Sequence, residues 1–162
     1  GAGRPRTGAD SDAKARITPR FESVAALMAE AFLEMGIDAR VGEIPGEYCP
    51  GQYSVNARGL TKVMGVGQRV VAGAAHLGGV VVVDGAERIR DVLVPVYAAL
   101  GLEWDPATCG ALGDEMAGLD RAAIEGAITQ AFKRRFDLYE DDFGPELLAL
   151  AAELEPRHEV AR

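Results

Sequence analysis

The sequence has little of what several function classes require. Its 162 residues hold two histidines, two cysteines and one tryptophan. His76 and His158 stand far apart in the chain, so no histidine cluster forms and no metal site is expected. Cys49 and Cys109 are too sparse for a disulfide scaffold, and reduced thiols in a cytoplasmic protein are the expectation. No apolar run is long enough for a membrane-spanning helix; Gly78 to Val83 is far too short. Positive charge is scarce: 17 Lys and Arg against 25 Asp and Glu leave a net charge of −8. That balance excludes the broad basic face of a nucleic-acid binder and gives no attraction to an anionic membrane surface. No internal repeat is present. There is also no initiating methionine, and residues 1–16 are rich in glycine, arginine and small polar residues. They read as disordered or linker, and the chain is expected to be a fragment or a processed product.

One absence is local. Between Tyr48 and Val83 there is no acidic residue, in a chain that is otherwise acidic. The lysine and arginine residues there are Arg58, Lys62 and Arg69. A cationic strip in an anionic protein suits a small anionic ligand, a carboxylate or a phosphate ester. The same stretch carries Lys62-Val-Met-Gly65-Val-Gly67-Gln68-Arg69. Cys49 lies thirteen positions before that lysine, in a loop framed by Pro45, Gly46, Pro50 and Gly51.

The surrounding pattern is that of a single domain over residues 17–155, with a tail at 156–162. Thr18-Pro19 reads as a helix start, and Phe21, Val24, Ala25, Met28, Phe32 and Met35 keep helical spacing up to Gly36, predicting a helix over 18–35. Strands are predicted at 37–44, at 53–58, and at 61–66 and 68–72, the last two separated by glycine. Val80 to Val83 reads as a central buried strand. A helix follows at 86–100, with Ile89, Val92, Leu93, Val96 and Leu100 as its apolar stripe and a kink expected near Val94, before Pro95. A loop through Gly113 leads to a helix at 120–137 with Ile124, Ile128, Phe132 and Phe136 inward, and a last helix starts at Pro145. One helix, a run of strands, then three helices is an α+β order: a mixed or antiparallel sheet with helices packed on one face.

Lys62 is the first candidate for chemistry. An ammonium beside Gly65 and Gly67 can neutralise an anion that approaches the backbone, or steady negative charge growing on oxygen in acyl transfer. A solvated strand lysine is the alternative. Cys49 is the second candidate, as a nucleophilic thiol near a cation or as an inert loop thiol; Glu47, two residues away, counts against thiolate formation. His76 is a weaker candidate as ligand or base. Gly65-Val-Gly67 lacks the third glycine and the helix of a dinucleotide fingerprint, and the acidic group Asp137, Glu140, Asp141, Asp142 lacks calcium-loop spacing.

The run from Lys62 to Arg69, with Gly78-Gly79 and an apolar strand after it, resembles the signature of lipoate–protein ligases and of cysteine-dependent octanoyltransferases in the biotin/lipoate ligase superfamily. The resemblance implies the catalytic-domain fold of that family, incomplete at its N-terminal side, because an arginine- and glycine-rich upstream loop has no counterpart in residues 1–17. It implies that Lys62 holds the activated acyl group, with Gly65, Gln68, Arg69 and Gly79 as substrate-binding positions around a glycine-containing turn. Its first functional implication is ATP- and Mg²⁺-dependent activation of lipoate or octanoate to an acyl-adenylate, then transfer to a lysine of a lipoyl-domain acceptor protein. A second is acyl transfer from an acyl-carrier protein through a Cys49 thioester. A third is a non-catalytic accessory subunit working with a chain that supplies the missing N-terminal half, marked by an exposed apolar edge. In the family a histidine often precedes the glycine of the turn; here His76 is displaced by two residues.

Overall fold

A computed structural model describes residues 16–71 and 74–158; all of the expected linker at 1–16 except Arg16, together with Ala72, Gly73 and the last four residues of the tail, lies outside that range. Helix α1 spans Ile17–Glu34 and ends where Gly36 takes a positive φ of 92°. The Ile37 N–H there bonds back to the Phe32 carbonyl, the closing bond of a glycine-stopped helix. The expected start needs correction. Arg16 holds the cap position, no side chain caps the helix, and Thr18 lies inside it. The buried face carries Ala25, Leu27, Met28, Ala31 and Phe32.

Four strands follow: β1 (Ala39–Val41), β2 (Val55–Ala57), β3 (Thr61–Val71) and β4 (Ala74–Val81). They form one sheet in the order β1-β2-β3-β4, and every neighbouring pair is antiparallel. The first two strands are shorter than the sequence pattern suggests. The pattern 61–72 is one strand as far as it is described, not two: Gly65 and Gly67 pair with Val80 and Gly78 without a break. Gly78-Gly79 is therefore no turn but the middle of β4. Nor is the valine run a central strand. β4 is the sheet edge and Val80 is 71% exposed, while Val82 leaves the strand and is buried.

The main core lies between α1, the inner sheet and helix α4 (Arg121–Lys133), and includes Leu27, Phe32, Val55, Val63, Met64, Leu112 and Ile124. Burying a ring such as Phe32 contributes roughly 1.5–3 kcal/mol. Helix α2 (Ala86–Leu100) runs through Pro95 as one element. Its inward residues are Ala86 and Tyr97, with Ile89 partly covered, while Val92, Val96 and Leu100 are exposed. Helix α3 (Leu112–Glu115), within the expected loop, is a short turn whose Asp114 carboxylate accepts from the Ala111 N–H. α4 starts with the Asp120 carboxylate capping the Ala123 N–H and stops at Lys133, leaving Phe136 outside it. Helix α5 (Pro145–Leu154) buries no residue among those described.

A second, smaller cluster sits under the loop that precedes β2. Val82, Ala86, Cys109 and Ala111 are its buried members, and Tyr48, Ile89 and Trp104 pack on it. Backbone bonds tie this region to the sheet: the Gly110 N–H donates to the Lys62 carbonyl and the Leu112 N–H to the Val82 carbonyl. The loop carrying Cys49 thus rests between β3 on one side and α2 on the other. No described helix is long and apolar enough to cross a membrane.

Candidate active site

A cavity of about 610 Å³ opens over the β3–β4 hairpin, a volume in the range of small-molecule sites. Gly65, Val66 and Gly67 of β3 and Gly78, Gly79 and Val80 of β4 line it from the hairpin side. Residues 48–54 line it from the loop side, and Phe21 closes it from α1 by stacking on Tyr53 at 5.2 Å between ring centroids. The lining is mostly apolar, with Lys62 as its one cationic side chain. Glycines on the hairpin leave backbone where side chains would stand. A Cβ at Gly65 would come 3.4 Å from Lys62 Cε, and one at Gly79 only 2.8 Å from Met64 Cε.

Lys62 is buried, and its ammonium is fully engaged. It donates to Glu47 Oε1 at 3.1 Å, to the Tyr48 carbonyl at 3.0 Å and to the Cys49 carbonyl at 2.7 Å. Those are three acceptors for three N–H bonds. The ammonium also lies 4.9 Å from the Tyr48 ring centroid, a cation–π distance. Glu47 is just as buried and accepts four bonds. Oε1 takes Lys62, the Ser54 hydroxyl at 2.6 Å and the Gly51 N–H at 3.0 Å, and Oε2 takes the Ile44 N–H at 3.2 Å. The loop from Ile44 to Ser54 is wrapped around this one carboxylate. Sequence reasoning missed Glu47 as an organising residue and weighed it only against Cys49. Its signal was being the lone acid of a Pro/Gly loop at the border of an acid-free stretch.

Cys49 is exposed and lines the cavity. Its φ is 43°, the left-handed region that a residue with a Cβ rarely adopts. Three contacts hold it there. The Lys62 ammonium takes its carbonyl, the Tyr97 hydroxyl accepts its N–H at 2.7 Å, and the same hydroxyl lies 3.6 Å from its sulfur. Tyr97 packs on Trp104 at 5.2 Å, and Trp104 meets the Tyr48 ring edge-on at 5.9 Å. Burial, then the bond to Cys49, pushes the Tyr97 hydroxyl above the ordinary phenol pKa, and burial pushes Tyr48 up to about 12. Tyr97 was also missed. The expected α2 stripe shared Ile89 and Leu93 with the inward face, but added Val92, Val96 and Leu100, which are exposed, and left out Tyr97.

Cys49, Lys62, Gly65 and Gly79 therefore converge on one cavity, while Gln68 and Arg69 do not line it. Gln68 bonds to the Arg20 side chain and to the Ile17 carbonyl, tying β3 to α1. Arg69 is exposed and stands opposite His76 across the hairpin. Cys109 is buried with its thiol toward the Ala86 carbonyl, and burial raises its pKa. Among the described residues, no group of three His, Cys, Asp or Glu side chains could hold a metal ion.

No family model matches the sequence. It is similar to two proteins named octanoyl-[GcvH]:protein N-octanoyltransferase. The one from Geobacillus kaustophilus is 35% identical over 81 residues, which are 50% of this chain and 28% of that protein. The one from Exiguobacterium sibiricum is 32% identical over 83 residues, 51% of this chain and 30% of that protein. The chain thus spans less than a third of the length of these relatives. Among solved structures, a lipoate-protein ligase A bound with ATP superposes with a TM-score of 0.68 at 17% identity, over 87% of this chain and 56% of that one. Protein Ta0514 of T. acidophilum with bound lipoic acid gives 0.65 at 19% identity, over 87% and 55%. The chain is related in sequence to the octanoyltransferases and has the α+β fold of the lipoate–protein ligases.

Proposed function

We propose that this chain carries the acyl-transfer centre of a cysteine-dependent octanoyltransferase, with Cys49 as the nucleophile. The observation that supports this most is the presentation of Cys49. The residue lies exposed at an apolar cavity, in a left-handed backbone, pinned by Lys62 at its carbonyl and by Tyr97 at its N–H. A thiol held in this way is ready to receive an acyl carbon whose tail occupies the cavity.

The two relatives' name describes the chemistry: an octanoyl group leaves GcvH and reaches another protein's amine. In this chain the Cys49 thiolate would attack the carbonyl carbon of the octanoyl-lysine amide on GcvH. A C–S bond forms, the C–N bond breaks, and the leaving amine takes the proton that the thiol gave up. The neutral lysine amine of a lipoyl-domain acceptor then attacks the thioester. A C–N bond forms, the C–S bond breaks, and the amine proton returns to the departing thiolate. One amide is exchanged for another, so no ATP is consumed. Lys62 and Glu47 hold the loop in place throughout, and Gly65 and Gly79 leave room for the chain.

ATP-dependent activation of lipoate or octanoate is the second reading, favoured by the fold shared with a lipoate-protein ligase that binds ATP. It would need the Lys62 ammonium to turn from the loop toward the adenylate. Lys62, the cation at the cavity, has all three N–H bonds committed to Glu47 and two carbonyls. The partner-dependent reading draws on the exposed Val80 of edge strand β4 and the exposed Val92, Val96 and Leu100 of α2; a clean monomer with transfer activity would count against it.

The test is transfer from octanoylated GcvH to a lipoyl-domain acceptor, followed by intact-mass spectrometry without ATP. The expected result is one octanoyl group on Cys49, chased to the acceptor, and no transfer by Cys49→Ala. Transfer that survives Cys49→Ala, or that appears only with free acid and ATP-Mg²⁺, rejects the cysteine route.

A further inference from the structure

We infer that Tyr97 is a further catalytic residue of this centre, its hydroxyl donating a hydrogen bond to the Cys49 sulfur and stabilising the thiolate. The inference rests on the reading of Cys49 as nucleophile and adds a residue that the sequence did not single out.

Hydrogen-bond accounting fixes the direction of donation. A phenol has one O–H to give and lone pairs to accept with. The Cys49 N–H can only donate, so at 2.7 Å the Tyr97 oxygen is its acceptor. The O–H of Tyr97 is then free for the other neighbour, the sulfur at 3.6 Å. A thiolate accepts that bond better than a thiol does, so the bond favours the ionised form. Burial, then the bond to Cys49, raises the Tyr97 pKa, and a hydroxyl that holds its proton remains a donor.

Among the described residues, no other group is placed to substitute. From β3, Lys62 faces the loop, but its three N–H bonds are taken and its charge is paired with Glu47 at 3.1 Å. From the loop itself, Glu47 is turned to Lys62, Ser54, Gly51 and Ile44, and the Tyr48 ring is turned to Lys62 and Trp104. From α2, Tyr97 is the one residue whose polar atom touches the sulfur. Its ring is fixed by Trp104 and by burial to 9% exposure, independently of the hydroxyl. Removing only the oxygen therefore leaves the aromatic packing in place.

The experiment reads the thiol directly, without any acyl substrate. The rate of Cys49 alkylation by iodoacetamide is followed against pH, with the modified peptide identified by mass. Tyr97→Phe is expected to raise the midpoint of the profile by about one pH unit, the scale of one lost hydrogen bond to a charged group. Site-specific replacement of Tyr97 by 2-fluorotyrosine, whose fluorine meta to the hydroxyl makes it a somewhat stronger donor that still keeps its proton, is expected to lower it. A purely structural tyrosine would change the melting temperature of Tyr97→Phe and leave both midpoints where they are; that result overturns the proposal. If Tyr97→Phe fails to fold, the fluorotyrosine protein decides alone, because it keeps ring and hydroxyl. The nucleophile reading is tested separately: it fails if Cys49→Ala still transfers octanoyl, whatever the alkylation profile shows.

Discussion

The Glu47–Lys62 pair gives the sharpest quantitative prediction. Its two side chains are 0% and 3% exposed, and five other loop groups depend on them. Glu47→Gln removes the charge and turns one carboxylate oxygen into an NH₂ group. The variant fares best if the amide oxygen stays on Lys62, Ser54 and Gly51, which leaves the Ile44 N–H facing a donor. One orphaned buried N–H costs about 1–3 kcal/mol, and the buried Lys62 ammonium loses its counter-charge, which puts the whole change at about 3–5 kcal/mol. Lys62→Met leaves a buried carboxylate without its counter-charge, a change worth about 3–5 kcal/mol. The three remaining donors on Glu47 hold it to the lower end of that range. In the double variant the orphaned carboxylate is gone, so the combined loss should fall short of the sum by about 1–3 kcal/mol. Urea denaturation of the four proteins at neutral pH, with slopes compared to confirm two-state unfolding, measures this. Losses that add to within about 0.5 kcal/mol would refute the pairing, and with it the claim that this carboxylate and this ammonium jointly shape the Cys49 loop.

Three further outcomes follow from the geometry. Gly79→Ala puts a Cβ 2.8 Å from the flexible end of Met64; the methionine moves aside, and the melt should show a loss of only about 1 kcal/mol, whereas Gly65→Val should crowd Lys62 and shorten the acyl chain that mass spectrometry finds on Cys49. Gln68→Ala cuts the links to Arg20 and Ile17, and should reduce thermal stability while leaving the Cys49 alkylation rate unchanged. Tyr48 has its pKa raised from 10.0 to about 12 in the fold; between those values the unfolded chain ionises and the folded one does not, so stability should fall as pH rises from 10 to 12, and Tyr48→Phe should flatten that fall in denaturant titrations.

What could be read from the sequence was what local pattern controls. α1 was legible because Ala25, Met28 and Phe32 recur at helical spacing and Gly36 supplies the left-handed stop. Lys62, Gly65 and Gly79 could be placed at one site because a single strand pair carries them. The rest depends on partners far away in the chain. Val80 to Val83 has the composition of a central strand, yet no described strand pairs on its outer side. The α2 residues fit two helical faces equally well, and only the Tyr48–Trp104 aromatic packing selects the one with Tyr97 inward. Glu47 had to be seen beside Lys62, fifteen residues on, before its charge could count as organising the loop.

The same pair bears on how one scaffold could host either acyl chemistry. Presenting Cys49 requires the Lys62 ammonium to hold the carbonyls of Tyr48 and Cys49 while Glu47 balances its charge. Gripping a phosphate would require that ammonium to give up at least one of these bonds, because it has no fourth N–H. The carbonyl of Cys49 is its shortest contact, at 2.7 Å, and the left-handed backbone at Cys49 is the strained element that this contact helps to hold. A lysine turned toward phosphate would therefore free the cysteine loop, and a lysine holding the loop is unavailable to phosphate. The two roles compete for one side chain. In the arrangement seen here Cys49 is displayed and Lys62 is fully engaged, as the proposed cysteine route requires.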